Sequence, residues 1–313
     1  MPRLSIIIAH QCDQRLEDTL LSILENRPAD SEIIVAHDGS YGDPYDLADE
    51  VLFVETQAGT STTSRLNEAL YAACAPVVHI LAEGCQIEEG WCEGPISKIQ
   101  YQHLAAVAPV IQTQGSHPRK IAGLDQRLLS HRGFQFAKKQ VPATCAGPLL
   151  AAGFYSRRVL LSLGGLLESV DSQVADVDLA LCLHDLEADC QVDASSVVHA
   201  EMTHLVARSD TRIARDLGSL MAAHHQHTSG LLAGLKGATH HLLRHLVNPS
   251  QWAPALAWGL GIAQNRLETS VADRLIAASR AHHGQTTSSQ TPELGIFNSD
   301  SPRKSSDSVR RAA

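Results

Sequence analysis

Three apolar runs in the first hundred residues each lead into a polar side chain that is able to bind a ligand. These side chains are His10 after residues 4–9, Asp38 after residues 32–36, and Glu83 after residues 77–81. Carboxylates and imidazoles hydrogen-bond to nucleotides, and carboxylates also hold divalent cations. If the runs are parallel strands, their carboxyl ends meet at the edge where such sheets bind ligands. We therefore expect the three side chains to border one site.

The elements that must position these residues alternate between strands and helices. Continuous, β-branched apolar runs predict strands at 4–9, 32–36, 51–54, 77–81 and 105–111. Apolar residues at helical spacing predict helices at 15–26, 64–74, 156–163 and 176–186. The alternation predicts an α/β fold with a doubly wound, mostly parallel sheet. Less regular stretches are predicted as loops with a short hairpin at 112–143 and as two short extended pieces at 191–199.

The chain changes character after residue 207. Residues 208–281 carry helical patterns rich in Leu, Ala and His, at 217–246 and 253–279. Residues 282–313 are mainly Ser, Thr, Gln, Pro and charged residues, which bury too little apolar surface to offset the entropy of ordering. The predicted organisation is an α/β domain over 1–207, a helical extension over 208–281 and a disordered tail over 282–313.

Charge and cysteine usage narrow the class of protein. A net charge of -9 argues against a broad nucleic-acid-binding face. Seven cysteines without a CxxC pair argue against a zinc ribbon or a disulfide framework and indicate a reducing compartment. No run approaches the roughly 20 apolar residues of a membrane span, and the first apolar run is too short for a signal peptide. We expect a cytoplasmic protein without a transmembrane segment.

Several segments, in order, resemble family 2 glycosyltransferases, which have the GT-A fold. LSIIIAHQ at 4–11 resembles the family's first strand, and EIIVAHDGS at 32–40 resembles its second strand, which usually ends in two aspartates before Gly-Ser. Asn67 to Leu70 resembles the Asn-x-Gly-Leu helix, and Ala175 to Leu179 resembles the Glu-Asp-x-Asp-Leu motif. The segment SRRVLLSLGGLLE at 156–168 resembles the family's helix that ends in Gly-Gly. The resemblance covers about residues 3–200 and implies the GT-A fold, a nucleotide-sugar donor and sugar transfer.

The resemblance also implies roles for individual residues. Asp176 would be the general base that takes the proton of the acceptor hydroxyl. We expect Asp38 and Asp176 to face one shared cleft, because a parallel sheet gathers the ends of its elements on one edge. His10, Asp38, Arg65 and Asn67 would contact the nucleotide, with Arg65 offsetting phosphate charge. The residues themselves leave simpler alternatives open. Asp176 suits the positive end of a helix, Asp38 suits a turn, and Arg65 and Asn67 suit a solvated helix face.

The metal-binding motif departs from the family pattern. Where the family has Asp-x-Asp after the fourth strand, this chain has Ala82-Glu83-Gly84, so Glu83 is the one remaining candidate ligand for Mn²⁺ or Mg²⁺. In the helical part, His224 and His227 are spaced as metal ligands can be, but no third ligand stands at a fixed offset. A polar helix face is the expectation there.

Two functional hypotheses from different classes follow. The first is a glycosyltransferase that moves a sugar from a nucleotide-sugar to an unknown glycan, lipid or small-molecule acceptor. The second is a catalytically inactive nucleotide-sugar-binding or scaffold protein with the same fold, which would explain the lost aspartates. A third, nucleotidyl transfer, would need a basic, Gly-rich loop after the first strand, and residues 10–19 do not provide one.

Overall fold

The computed structural model describes residues 1–115, 117–205, 210–228, 252–264 and 267–286, and within them it contains a ten-stranded sheet flanked by helices. The strands are β1 (Leu4–Ala9), β2 (Ser31–His37), β3 (Val51–Glu55), β4 (Val77–Ile80), β5 (Gln86–Ile87), β6 (Ala106–Gln114), β7 (Lys120–Leu124), β8 (Phe134–Ala137), β9 (Phe154–Ser156) and β10 (Cys190–Glu201). The helices are α1 (Asp13–Asn26), α2 (Thr62–Ala72), α3 (Glu93–Tyr101), α4 (Arg157–Ser162), α5 (Ala175–Asp185), α6 (Met202–Leu205), α7 (Thr211–Thr228), α8 (Trp252–Gln264) and α9 (Glu268–Thr286). A 3-10 helix covers Gln126–His131.

The sheet has the order β3-β2-β1-β4-β9-β6-β10-β5, and the β7–β8 hairpin extends from β6. Strands β3, β2, β1 and β4 are parallel to one another, as are β6 and β10. The three-residue β9 lies between β4 and β6 and is antiparallel to both. Strands β4 and β6 therefore run in the same direction, and the carboxyl ends of β1, β2, β4 and β6 share one edge. The predicted doubly wound α/β fold is confirmed, with an antiparallel strand inserted in it.

The first strand and the first helix show why the sequence folds in this way. All six residues of β1 are buried, as expected for a strand covered on both faces. In α1 the buried positions include Leu16, Leu20 and Ile23, which lie on one helical face. Burying each such side chain contributes about 1.5–3 kcal/mol. This packing fixes where β1 ends and α1 begins, and His10 lies between them.

Two stretches differ in detail from the sequence-based expectation. The sequence pattern predicts two extended pieces at residues 191–199, but these residues belong to one strand, β10. The register of β10 against β6 shifts between Asp193 and Val197. Such a bulge bends a strand without ending it. The irregular stretch 112–143 contains the end of β6, the β7–β8 hairpin and the 3-10 helix.

The helical extension is confirmed where it is described. Helices α7, α8 and α9 follow the sheet, and α7 packs closely on α8. A Cβ atom on Gly218 would lie 2.1 Å from the Trp258 carbonyl oxygen, so glycine permits this close crossing. The helix predicted to reach residue 246 is described as far as Thr228, and the predicted start of the tail at residue 282 falls inside α9. The rest of the predicted tail, 287–313, lies outside the described residues. None of the described helices combines the length and apolar character needed to span a membrane.

Candidate functional site

His10 connects the end of β1 to the loop that follows β2. Its Nε2 atom lies 2.7 Å from Asp13 Oδ1, and its Nδ1 atom lies 3.4 Å from Ser40 Oγ. The ring also packs against Tyr41, with 5.3 Å between ring centroids. The His10 side chain is only 4% exposed. His10 is therefore held in one orientation at the carboxyl edge of the sheet.

Asp38 follows β2 and keeps part of its carboxylate open to solvent. Its Oδ1 atom accepts a hydrogen bond from the Ser40 hydroxyl at 2.6 Å, and its Oδ2 atom lies 3.6 Å from Arg65 Nη1. The Ser40 hydroxyl is the main cause of a lowered pKa for Asp38, which is therefore anionic at neutral pH. The side chain is 26% exposed. Three of the predicted nucleotide contacts, His10, Asp38 and Arg65, thus lie in one connected cluster.

Two polar atoms in this cluster are buried without a hydrogen-bond partner in the structure. They are the Tyr41 hydroxyl and Arg65 Nε. A buried donor without a partner costs about 1–3 kcal/mol, so such groups call for an explanation, and a bound ligand is one. Burial raises the pKa of Tyr41 to about 12, so its hydroxyl is protonated near neutral pH. Sequence reasoning missed Tyr41, whose one local signal is its place directly after the Gly39-Ser40 turn.

Asn67 faces a different part of the molecule. Its Nδ2 atom donates to the Leu166 carbonyl at 3.0 Å and to Glu168 Oε1 at 2.8 Å, and its Oδ1 atom accepts from Leu166 N at 2.7 Å. A Cβ atom on Gly165 would lie 2.5 Å from that Oδ1 atom. These contacts join α2 to the segment after α4. Asn67 could bind a nucleotide only if these hydrogen bonds broke. Nucleotide binding by Asn67 stays a prediction.

Glu83 is occupied by the start of α1. Its carboxylate accepts hydrogen bonds from Gln11 N at 2.5 Å and Cys12 N at 3.1 Å, and it lies 3.7 Å from Arg15 Nη2. Burial raises the pKa of Glu83, and the two backbone hydrogen bonds oppose that effect. The side chain thus satisfies N–H groups at a helix start, where a negative charge is favourable. Metal binding by Glu83 would require it to leave this position, and it stays a prediction.

The segment that replaces Asp-x-Asp does not fit a Mn²⁺ or Mg²⁺ site. Glu83 holds the helix start, and Ala82 and Gly84 offer no side-chain oxygen. Gly84 has φ of 79°, a left-handed conformation, and its N–H donates to Thr19 Oγ1 at 2.9 Å. Mg²⁺ sites usually rely on one or two carboxylates beside the substrate phosphates. This segment therefore lacks the free carboxylate oxygens that a divalent cation needs.

Asp176 lies at the start of α5 and is completely buried. Arg132 binds both of its oxygens, with Nε at 2.9 Å from Oδ1 and Nη2 at 2.7 Å from Oδ2. Arg132 also donates from Nη1 to the Leu205 carbonyl at 2.7 Å, and its own backbone is left-handed, with φ of 50°. An acceptor hydroxyl would reach Asp176 only if this pair opened. The roles of Asp176 as general base and as a neighbour of Asp38 in one cleft stay predictions.

Comparison with known proteins gives the class of the fold. No family model matches the chain, and no curated protein matches it significantly. Among solved structures, GalNAc-T7 with UDP, GalNAc and Mn²⁺ matches with a TM-score of 0.55 and 12% identity, over 71% of this chain and 48% of that one. The mannosyltransferase PcManGT from Pyrobaculum calidifontis in complex with GDP-Man and Mn²⁺ matches with a TM-score of 0.49 and 17% identity, over 91% and 88%.

The match to GalNAc-T7 confirms the predicted GT-A fold. At 12% identity the likeness to GalNAc-T7 concerns the fold alone, and the match spans about half of that protein's length. The protein therefore shares its fold with GalNAc-T7.

Proposed function

We propose that this protein binds a nucleotide-sugar at the carboxyl edge of β1 and β2 and transfers the sugar, slowly, to an unknown acceptor. The observation that carries the proposal is the cluster of His10, Asp38, Tyr41 and Arg65, which combines an open carboxylate with buried donors that have no protein partner. A protein of the same fold, GalNAc-T7, was crystallised with UDP, GalNAc and Mn²⁺. Sheets of this kind bind ligands at this edge.

Each member of the cluster has a chemical task in this proposal. The Asp38 carboxylate accepts hydrogen bonds from hydroxyls of the ribose or from N–H groups of the base. Tyr41 and His10 form the wall of the nucleoside site and offer a hydroxyl and a ring edge. Arg65 supplies positive charge toward the diphosphate through charge-assisted hydrogen bonds.

We expect slow transfer because the site offers little positive charge to the leaving diphosphate. The diphosphate gains negative charge as the sugar leaves, and positioned positive charge is often the largest catalytic contribution. In the proposed site Arg65 meets this demand without a metal at residues 82–85. One guanidinium that is also 3.6 Å from Asp38 Oδ2 neutralises less charge than a divalent cation does.

The catalytically inactive alternative is favoured by a specific observation. The predicted general base, Asp176, is paired with Arg132. The predicted metal ligand, Glu83, accepts hydrogen bonds from the start of α1. Release of nucleoside diphosphate from UDP-sugars and GDP-sugars distinguishes the two functions. If turnover is found and Asp176 is its base, Asp176→Asn lowers kcat by at least ~10²-fold. A decrease below about threefold in a folded variant would exclude that role.

Calorimetric titration with UDP and GDP in metal-free buffer tests the donor site. We expect the unmodified protein to bind at least one of them and Arg65→Gln to bind it about tenfold more weakly, a loss of about 1.4 kcal/mol. The matched control is Arg27→Gln, because Arg27 also pairs with a carboxylate, that of Glu50, but lies before β2 at the opposite edge. Absence of binding, or equal losses in the two variants, would contradict the proposal.

A further inference from the structure

Three side chains of types that can bind a metal ion lie close together inside the molecule, at the contact between α5 and α7. Asp178 and Cys182 are one turn apart on α5, and His224 approaches them from α7. One ligand atom from each lies within 4.8 Å of the others, and all three residues are buried. Within the part of the chain that the structure describes, no other group of three such residues comes this close.

The distances are near those of a tetrahedral zinc site. Asp178 Oδ1 lies 3.6 Å from His224 Nε2 and 3.9 Å from Cys182 Sγ. Zinc bonds to oxygen, nitrogen and sulfur are about 2.0–2.3 Å long, which places tetrahedral ligands about 3.3–3.5 Å apart. Asp178 Oδ1 is therefore within a few tenths of an ångström of tetrahedral spacing from each of the other two atoms, and all three ligand atoms lie within 4.8 Å of one another.

The surroundings orient the ligands as in known metal sites. His224 Nδ1 lies 2.7 Å from Asp185 Oδ2, so that carboxylate holds the ring with Nε2 toward Asp178. A histidine ligand commonly has such a carboxylate behind its second nitrogen. Arg274 from α9 donates to Asp178 Oδ2 at 2.6 Å, which leaves Oδ1 on the side of His224 and Cys182.

The charges and donor types select the metal. The charge of a divalent ion equals the summed negative charge of the Asp178 carboxylate and the Cys182 thiolate. The remaining charges, those of Arg274 and Asp185, also sum to zero. Thiolate and imidazole donors favour zinc over Mg²⁺ or Mn²⁺, which prefer oxygen ligands. The competing arrangement is metal-free, with a protonated His224 between Asp178 and Asp185, and it is also neutral.

We propose that Asp178, Cys182 and His224 bind one zinc ion that fastens the helical extension to the α/β domain. Three protein ligands leave the fourth tetrahedral position to a water or another small ligand. On binding, the Cys182 thiol gives its proton to solvent. This site is separate from the proposed donor site at β1 and β2 and does not rest on the proposed function.

Cobalt replaces zinc in such sites and makes them visible, so we would titrate the untagged, chelator-treated full chain with Co²⁺. We expect the near-ultraviolet charge-transfer band of a Co²⁺–thiolate bond, the visible bands of tetrahedral Co²⁺, and saturation at one ion per chain. Zn²⁺ should abolish these bands by displacement. Absence of the thiolate band in the unmodified protein would overturn the proposal and favour the metal-free cluster.

Variants assign the band to this cluster. Cys182→Ser should lose it, while Cys92→Ser, at another buried cysteine, should keep it. Asp185→Asn should keep the band but weaken Zn²⁺ affinity by about 10–100-fold, the usual effect of losing a carboxylate behind a histidine ligand. Retention of the band in Cys182→Ser, or unchanged affinity in Asp185→Asn, would contradict the assignment. UDP or GDP binding, measured on the same samples, reports separately on the donor site.

Discussion

Two aspartates at ends of secondary-structure elements have opposite surroundings. Asp38, after β2, is 26% exposed and shares its carboxylate between Ser40 and a guanidinium 3.6 Å away. Asp176, at the start of α5, is wholly buried, and Arg132 engages both of its oxygens. A carboxylate at a motif position can therefore be accessible, as in Asp38, or fully engaged by protein groups, as in Asp176, and the motif alone does not tell which.

The two regions also differ in how some of their buried polar groups are paired. At the β1–β2 edge, Tyr41 and Arg65 have buried donor atoms without protein partners. Around α5, the carboxylates of Asp176 and Asp178 are each paired with a guanidinium, from Arg132 and Arg274. Substitutions around α5 should therefore change stability, and substitutions at the edge should change ligand affinity.

The largest expected effect is at the buried pair. Asp176→Asn leaves the Arg132 charge buried without its counter-ion, which should lower the free energy of unfolding by about 3–5 kcal/mol. Urea denaturation of the two proteins measures this. The double variant Arg132→Met with Asp176→Leu removes both charges and should lose less. If Asp176→Asn lowers the free energy of unfolding by less than about 1 kcal/mol, the Arg132–Asp176 pair does not stabilise the contact between α5 and the β7–β8 connection.

A buried histidine in β4, His79, should make the stability of the protein depend on pH. His79 is fully buried and stacked on Phe154 at 3.8 Å, and burial lowers its pKa to about 3. In the unfolded chain its pKa returns to about 6.5. Between these values the unfolded chain binds a proton that the folded chain does not, so stability falls as the pH falls.

Between pH 7 and pH 5 this histidine should account for a loss of about 2 kcal/mol in the free energy of unfolding. Other groups titrate as well, so the measured quantity is the difference between the unmodified protein and His79→Phe. The variant keeps an aromatic ring against Phe154 and should lack this part of the pH dependence. Parallel stability curves for the two proteins would refute the assignment.

At the β1–β2 edge we expect substitutions to change nucleotide affinity and not stability. Asp38→Ala should weaken UDP or GDP binding about tenfold, while its unfolding transition stays in the narrow range of surface substitutions. Asp30→Ala is the matched control, because Asp30 pairs with Arg3 before β2 at the opposite edge. Equal affinities for Asp38→Ala and the unmodified protein would remove Asp38 from the donor site.

A smaller effect is expected from restoring the lost carboxylates. Ala82→Asp with Gly84→Asp should make nucleotide affinity rise about three- to tenfold on adding Mn²⁺. The gain is limited because residue 84 is left-handed, with φ of 79°, which costs a residue with a Cβ atom about 1–2 kcal/mol. Ala82→Asn with Gly84→Asn has the same backbone cost without the charge and should show no Mn²⁺ dependence. Equal responses of the two double variants would contradict this explanation.

Most of the sheet could be predicted from the sequence because its strands are continuous apolar runs. Strands β1, β2, β3, β4 and β6 were predicted in this way. The short strands β5 and β9 could not be, since two or three residues carry no recognisable period. Their places depend on neighbours that are distant in sequence, such as Phe154 beside His79.

The site was predictable to a smaller extent. The strand ends predict that His10 and Asp38 lie at one edge, and the family resemblance adds Arg65. These three residues lie in one cluster. The pairing of Arg132 with Asp176 spans 44 residues and starts in a stretch with no regular pattern. Local spacing holds no information about such a contact, so the burial of Asp176 could not be foreseen.

The most direct test of the central claim is the affinity of the unmodified protein for UDP and GDP with and without Mn²⁺. If side chains at the β1–β2 edge hold the donor without a metal at residues 82–85, the dissociation constant should change less than ~3-fold on adding Mn²⁺. A bridging metal worth about 1.4 kcal/mol would tighten binding about tenfold. A tenfold or greater tightening would contradict the account and show that a metal takes part in donor binding.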